Sequence, residues 1–228
     1  MNNTDELVVI LAAGVGSRLK PFTDELPKCL VPISGIPLLS LSTAQMKKAG
    51  LDNILIVGGY KKEILEREGY DLVPNPEFRN SNMVWSLTQA TDYIQKSSCD
   101  YVIVHYGDIV VSYQNILLLR GCDNQFSLLA DKNWKELWQL RMSNYLEDIE
   151  TFVTKQNKLI ELGKKVYDEK DVEAQYMGVI RIKRDLLLKV LLEFKVEVNG
   201  NFNGAQKLKN MFMTDFIQRY IDSGGIVS

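Results

Sequence analysis

At 228 residues the chain is long enough for one large domain with an ample buried core. Its 27 Lys and Arg against 29 Asp and Glu leave a net charge of -2, which excludes the global basic field of a nucleic-acid or anionic-membrane binder. No apolar run reaches transmembrane length, and the polar, slightly acidic opening MNNTDE is unlike a signal peptide. Cys29, Cys99 and Cys122 lack metal-type spacing and read as reduced thiols, so a cytoplasmic location is expected.

In chain order, the apolar run over 7–11 predicts a strand buried on both faces. It leads into Leu11-Ala12-Ala13-Gly14-Val15-Gly16-Ser17-Arg18-Leu19, followed by Pro27-Lys28. Two glycines one residue apart permit a tight turn whose N–H groups face inward and bind an anion. Arg18 adds a planar fork of donors suited to phosphate, and Lys28 adds a compact point charge. A strand, a glycine-rich turn and two cations within so short a segment describe a nucleoside triphosphate site. The Walker A pattern GxxxxGK[ST] is absent, and Leu19 stands where a dinucleotide fingerprint needs its third glycine.

A helix over about 38–48 should end at Gly50, residues 54–57 form a second buried strand, and a short helix over 61–68 ends at Gly69. Leu72-Val73 leads into the turn Pro74-Asn75-Pro76, after which Met83, Leu87, Ala90 and Ile94 recur at helical spacing. Residues 101–106 read as a central strand with Gly107-Asp108 at its carboxyl end, where open α/β sheets bind ligands. Asp108 is therefore the candidate metal ligand. His105, inside this strand, reads as a core or rim residue rather than a base, and Cys29 as a small buried residue rather than a nucleophile. Further on, 126–129 and 176–182 read as strands, 185–194 and 208–222 as helices, and 132–174 as short strands and charged loops. The alternation predicts an α/β fold: a Rossmann-like, mostly parallel twisted sheet with helices on both faces. With no linker or repeat, 1–228 is expected to be a single domain, its nucleotide-binding half at about 1–125 and its acceptor-binding half at about 126–228.

The stretch LAAGVGSRLKPFTDELPKCL resembles the signature of nucleotidyltransferases that make activated sugars and alcohols from a nucleoside triphosphate and a phosphorylated acceptor. The similarity continues through Gly35-Ile36-Pro37-Leu38-Leu39, Lys48-Ala49-Gly50, Gly58-Gly59-Tyr60 and Gly107-Asp108. It implies a GT-A-like nucleotidyltransferase fold with a small acceptor-binding subdomain. In that family pattern the backbone around Leu11, Ala12 and Ala13 would contact the base, and Gly14, Gly16 and Ser17 would wrap the phosphates. Arg18 would hold the β- and γ-phosphates, Lys28 would neutralise the transition state, and Asp108 would hold Mg2+, which makes these three the catalytic set. Gly59, Tyr60 and Asn75 would help enclose the base. Asn82 and Ser86 resemble the Asn and Ser of an N-x-x-x-S-L segment of cytidylyltransferases that use phosphocholine. No Ser/His/Asp or Cys/His arrangement is present, so direct in-line displacement is expected.

Residues 134–141, 144–151, 161–165 and Gln175-Tyr176-Met177-Gly178 look like the corresponding segments of cytidylyltransferases that act on aminoalkyl phosphonates and similar small compounds. A zwitterionic acceptor needs a cation for its phosphoryl group and carboxylates or aromatic faces for its amine. Arg141 with Lys164 or Lys165 could serve the first need; Glu147, Asp148, Trp138 or Tyr176, with Gln175 beside it, the second. Trp134 and Trp138 read equally well as a core stripe. The family pattern also implies a second metal-binding Asp after the strand that follows the last long helix. That strand is expected to begin at Ile226-Val227, two residues before the sequence ends, and Asp215 and Asp222, on the preceding helix, are poor substitutes.

The expected activity is Mg2+-dependent transfer of CMP from CTP to a small phosphorylated or phosphonylated acceptor, with release of pyrophosphate. Its partners are CTP and that acceptor, with no nucleic acid and no membrane, in a monomer or homodimer. A hexose-1-phosphate nucleotidyltransferase using UTP or dTTP, and a non-catalytic nucleotide-binding domain, are the alternatives.

Overall fold

A computed structural model describes residues 5–201 and 203–228. In chain order its first half holds β1 (Glu6–Ala12), β2 (Pro32–Ile33), β3 (Ile36–Pro37), α1 (Leu38–Lys48), β4 (Ile54–Gly58), α2 (Lys62–Leu65), β5 (Asp71–Pro74), α3 (Met83–Gln89), α4 (Thr91–Lys96), β6 (Tyr101–Tyr106) and α5 (Tyr113–Arg120). The second half holds β7 (Phe126–Asp131), α6 (Trp134–Arg141), β8 (Glu150–Lys155), β9 (Lys158–Lys165), β10 (Gln175–Lys183), α7 (Arg184–Gly200), α8 (Ala205–Lys209) and α9 (Met213–Asp222).

The central six-stranded sheet has the order β5-β4-β1-β6-β10-β7. β5, β4, β1 and β6 run parallel, and β10 is antiparallel to both of its neighbours. β1 is buried along its whole length, as its apolar run requires, because helices cover both faces of the sheet. Its side chains alternate between two cores. Leu7, Val9 and Leu11 pack with Val84, Leu87 and Ile94 of α3 and α4 and with Leu187 and Leu191 of α7, whereas Val8 and Ile10 pack with Leu39 and Met46 of α1 and with Ile116 and Leu119 of α5. At the amino end of the sheet the fully buried Glu6 carboxylate lies between two guanidiniums, Arg181 at 2.6 Å and Arg120, which ties β1, β10 and α5 together.

The register aligns Ala12 with Gly58 and Leu11 with Tyr106, so the carboxyl ends of β1, β4 and β6 lie side by side. The loop after β1, Gly59 and Gly107 thus share one edge of the sheet, on the side where such sheets hold ligands.

Gly50 and Gly69 close their helices at φ of +78, as their positions predict. The single helix expected across Met83 to Ile94 is instead two, α3 and α4, joined at Ala90, whose ψ is -4. There Thr88 donates to the Trp85 carbonyl at 2.7 Å and Thr91 to the Thr88 carbonyl at 2.6 Å, a local competition with the helical ladder. The helix expected over 208–222 is also divided, because Phe212 is extended at ψ 157 and starts α9 afresh. No strand element forms at Ile226-Val227, although the backbone of Ser228 pairs with β7 through the Phe126 carbonyl and the Leu128 N–H. Around 132–174 the β8–β9 hairpin packs on α9, and Trp134, Ile149, Val166 and Val172 make a small separate core. Among the described residues no helix is long and apolar enough to cross a membrane.

Candidate active site

The loop after β1 is held open by what braces it from behind. Gly16 has φ +69, and a Cβ there would lie 3.0 Å from Lys28 Cβ and 3.1 Å from Thr23 Cγ2, so both its conformation and its surroundings select glycine. A Cβ on Gly14 would meet nothing within 4 Å, because that side faces the open cleft. The buried Thr23 hydroxyl donates to the Gly16 carbonyl at 3.0 Å. From the end of β4, the Tyr60 N–H donates to the Ala13 carbonyl and the Tyr60 hydroxyl to the Thr23 carbonyl, each at 3.0 Å. A Cβ on Gly59 would sit 2.7 Å from the Ala13 carbonyl oxygen, which allows this close approach only to glycine.

Lys28 begins the 3-10 turn Lys28–Leu30 after Pro27, and Asp108 lies two residues past β6. The Lys28 ammonium pairs with an Asp108 carboxylate oxygen across the cleft, and both side chains stay about one-third exposed, at 30% and 35%. The close approach that holds Asp108 in place is again a glycine's, since the Gly107 N–H donates to the Leu11 carbonyl at 2.9 Å.

Of the residues expected to hold the nucleotide, Leu11, Ala12, Gly14, Gly16, Ser17, Arg18, Lys28, Asn82 and Asp108 line one cleft. Ala13, Gly59, Tyr60, Asn75 and Ser86 lie behind it. Asn75 is fully enclosed: its amide donates to Ser86 at 2.9 Å and Ser81 at 3.0 Å, and its oxygen accepts the Glu77 N–H at 3.0 Å. Ser86 in turn donates to the Asn82 carbonyl at 3.2 Å, while the Asn82 side chain caps α3 by accepting the Met83 N–H at 2.8 Å. The Asn82–Ser86 segment therefore forms a support for the start of α3, with Asn82 alone of the two facing the cleft.

A second cavity adjoins the first, and Arg18, Met83 and Tyr106 line both. Trp138, Asp148, Gln175 and Tyr176, expected on the acceptor side, line this cavity together with Glu150, Thr151 and Thr214. Arg141, Glu147, Lys164 and Lys165 are not among its lining residues. Arg141 stacks 5.0 Å from the Trp138 ring, Glu147 accepts from the Asn144 amide at 2.7 Å, Lys164 pairs with Glu161, and Lys165 lies 5.6 Å over Tyr167. The two tryptophans expected as a possible stripe part company. Trp134 is core and donates to the Val172 carbonyl at 3.2 Å, whereas Trp138 faces the cavity and donates to Asp148 at 3.2 Å.

Sequence reasoning missed Met83, Tyr106, Glu150 and Thr214. Burial pushes the Glu150 carboxyl above its ordinary range; Asp215 and Asp148 add to this and the Thr214 hydroxyl opposes it. Its clue lay in position, as the last residue of the acidic run Glu147-Asp148-Ile149-Glu150 and the first of a strand. His105 is buried, and desolvation lowers its pKa to about 4, so it is neutral at pH 7. Burial pushes the Cys29 thiol up to about 12, which leaves it unreactive at neutral pH.

A glycine-turn loop and a lysine–carboxylate pair at the carboxyl edge of a mostly parallel sheet, opening onto a second polar cavity, match the GT-A-like nucleotidyltransferase class. Residues 8–120 match the family model described as a MobA-like NTP transferase domain. The chain is 32% identical over 221 residues to the CTP:phosphoglutamine cytidylyltransferase of Campylobacter jejuni, an alignment covering 94% of this chain and 87% of that protein. It is 35% identical over 141 residues to the choline-phosphate cytidylyltransferase of Haemophilus influenzae, covering 60% of this chain and 58% of the relative. The structure of the inositol-1-phosphate CTP transferase from T. maritima superposes with a TM-score of 0.70 at 18% identity, over 99% of this chain and 84% of that one, and shows the shared fold. The chain belongs to the nucleotidyltransferase family that includes these cytidylyltransferases.

Proposed function

We propose that this chain transfers CMP from CTP to a small phosphorylated or phosphonylated acceptor and releases pyrophosphate. The observation that supports the reading is the continuity of the two cavities through Arg18, Met83 and Tyr106, which leaves room for an acceptor beside the glycine-rich loop. The names of the relatives supply the nucleotide and the size of the acceptor. An acceptor oxygen attacks the α-phosphorus in line, the bond from the α-phosphorus to the bridging oxygen breaks, and pyrophosphate leaves with that bond's electrons. Backbone N–H groups of 14–17 and the Arg18 guanidinium hold the departing phosphates, and Lys28 offsets charge that builds on the α-phosphoryl oxygens.

Among the described residues no three His, Cys, Asp or Glu side chains gather as a metal cluster. The carboxylate that does face the cleft, Asp108, stays about one-third exposed, and a single such oxygen donor suits Mg2+, which is typically bound by one or two carboxylates together with substrate phosphates. Asp108 is the residue that would hold it, and the cation would supply charge neutralisation at the triphosphate. The three free thiols support the cytoplasmic location expected from the sequence.

The test is CTP labelled at either the α- or the γ-phosphorus. With acceptor present, the α-label should appear in the organic product and the γ-label in pyrophosphate. A γ-label found in the organic product, or an α-label that becomes attached to the protein, would contradict direct transfer.

A further inference from the structure

The loop between β5 and α3 is gripped by α8, an element from the far end of the chain. The carbonyls of Lys209 and Asn210 belong to the set that a helix leaves without partners at its carboxyl end. Here they accept the Asn82 N–H at 2.8 Å and the Asn82 side-chain amide at 3.4 Å. Gln206 donates to the Asn80 carbonyl, and the Lys209 ammonium pairs with Glu77. The same ammonium lies 4.7 Å from the centre of the Trp85 ring on α3, and the Lys209 side chain is only 21% exposed. An ammonium over an aromatic face and beside a carboxylate, with much of its water removed, is held more firmly than by either contact on an open surface. Asn82 lines the first cleft, and Lys209 is not among its lining residues.

Resting on the reading under Proposed function that the first cleft takes the nucleotide, we propose that Lys209 is a positioning residue for the nucleotide, acting through Asn82. Its ammonium fixes the end of α8 against Glu77 and Trp85, and the two carbonyls at that end set the Asn82 backbone and side chain. The Asn82 side-chain oxygen already accepts the Met83 N–H at 2.8 Å, and one amide N–H goes to Asn210. Together these fix the plane of the carboxamide and with it the direction of its remaining N–H. A group ordered before the nucleotide arrives costs less to engage. Phe212, Met213 and Thr214, which follow the latch, line the second cavity, but α9 has braces of its own. Gln218 accepts the Leu162 N–H at 2.7 Å, and Thr214 packs so closely on Gly163 that a Cβ there would lie 2.8 Å from Thr214 Cβ. Loss of the Lys209 charge therefore acts on the nucleotide side.

The experiment is calorimetric titration of CTP, with Mg2+, into the wild type and into Lys209→Met, Lys209→Arg, Glu77→Gln, Asn82→Ala and the Lys209→Met, Asn82→Ala double variant, with the melting temperature of each. Lys209→Met should raise the Kd for CTP about fivefold or more, and Glu77→Gln should raise it in the same direction. Lys209→Arg, whose guanidinium also stacks on an indole and pairs with a carboxylate, should stay within about twofold of the wild type. On the Asn82→Ala background Lys209→Met should add less than about twofold, because the group it positions is already gone. A Lys209→Met protein that melts lower yet binds CTP as the wild type does would overturn the proposal. So would an undiminished loss on the Asn82→Ala background, or equal losses for the Met and Arg variants. UTP titrated in parallel separates the two readings. A wild type that takes UTP in place of CTP would defeat the CTP reading alone, with the Lys209 effects then read on UTP, and one that binds neither nucleotide would defeat both.

Discussion

Lys28 and Asp108 occupy the cleft as a partly exposed pair of opposite charges, a geometry in which their mutual attraction adds little to stability. Their value is therefore in what they meet when substrate enters. Lys28→Ala should leave CTP affinity within about fivefold and lower kcat about 100- to 1,000-fold, the usual cost of one preorganised contact to charge that develops in the transition state. Titration of CTP binding alongside saturated turnover checks this; weak binding with turnover intact would make Lys28 a ground-state ligand instead. At this scale the cleft after β1 was legible because the residues that line it are nearly contiguous in the sequence. Gly14 to Arg18, Lys28 and Asp108 each follow a strand or a turn that the sequence marks. Arg141, Lys164 and Lys165 had the right chemistry for an acceptor phosphoryl group, but side-chain direction decides which surface a residue reaches, and a sequence does not state it. Asn75 and Ser86 carry ligand-like amide and hydroxyl groups that are already consumed by each other.

The element that most shapes the site is the end of β4. Through Gly59 and Tyr60 it presses on Ala13 and Thr23 and so fixes the loop that leaves β1. Gly59→Ala would place a methyl group 2.6 Å from Phe78 Cβ and 2.7 Å from the Ala13 oxygen, contacts that real Cβ atoms do not make. The loop must shift, and KM for CTP should rise about tenfold or more while KM for the acceptor changes much less, because a misplaced phosphate cradle costs that order of positioning. Steady-state kinetics with each substrate varied in turn reads the difference; an unchanged KM for CTP would show that the loop is braced elsewhere. Elements of the first half were readable because parallel strands buried on both faces make continuous apolar runs. The division of α3 from α4 was not, since it depends on threonine hydroxyls bonding back to carbonyls inside an apolar helical stripe.

The whole molecule joins two cavities at the carboxyl edge of a single sheet whose last two strands, β10 and β7, come from the second half of the chain. β10 runs against its neighbours, and at its start a register shift and Gly178, at φ +77, let the Tyr106 ring pack edge-on to Tyr176 at 5.8 Å. That reversal brings the residues of β10 and β8 that line the second cavity beside a loop more than 130 positions earlier in the chain. No local pattern announces it, so the lining of the second cavity was only partly foreseen: Trp138, Asp148, Gln175 and Tyr176 line it, and Glu150 did not stand out. The central claim is that this joined cleft handles CTP and a small non-sugar phosphoryl compound. Pyrophosphate release, measured with CTP, UTP, dTTP and ATP against phosphorylated and phosphonylated amines, amino acids and hexose 1-phosphates, tests it most directly. The account predicts release with CTP and a small amino-bearing acceptor and little with any hexose 1-phosphate; robust formation of a UDP- or dTDP-hexose, with no turnover of the amino-bearing compounds, would contradict it.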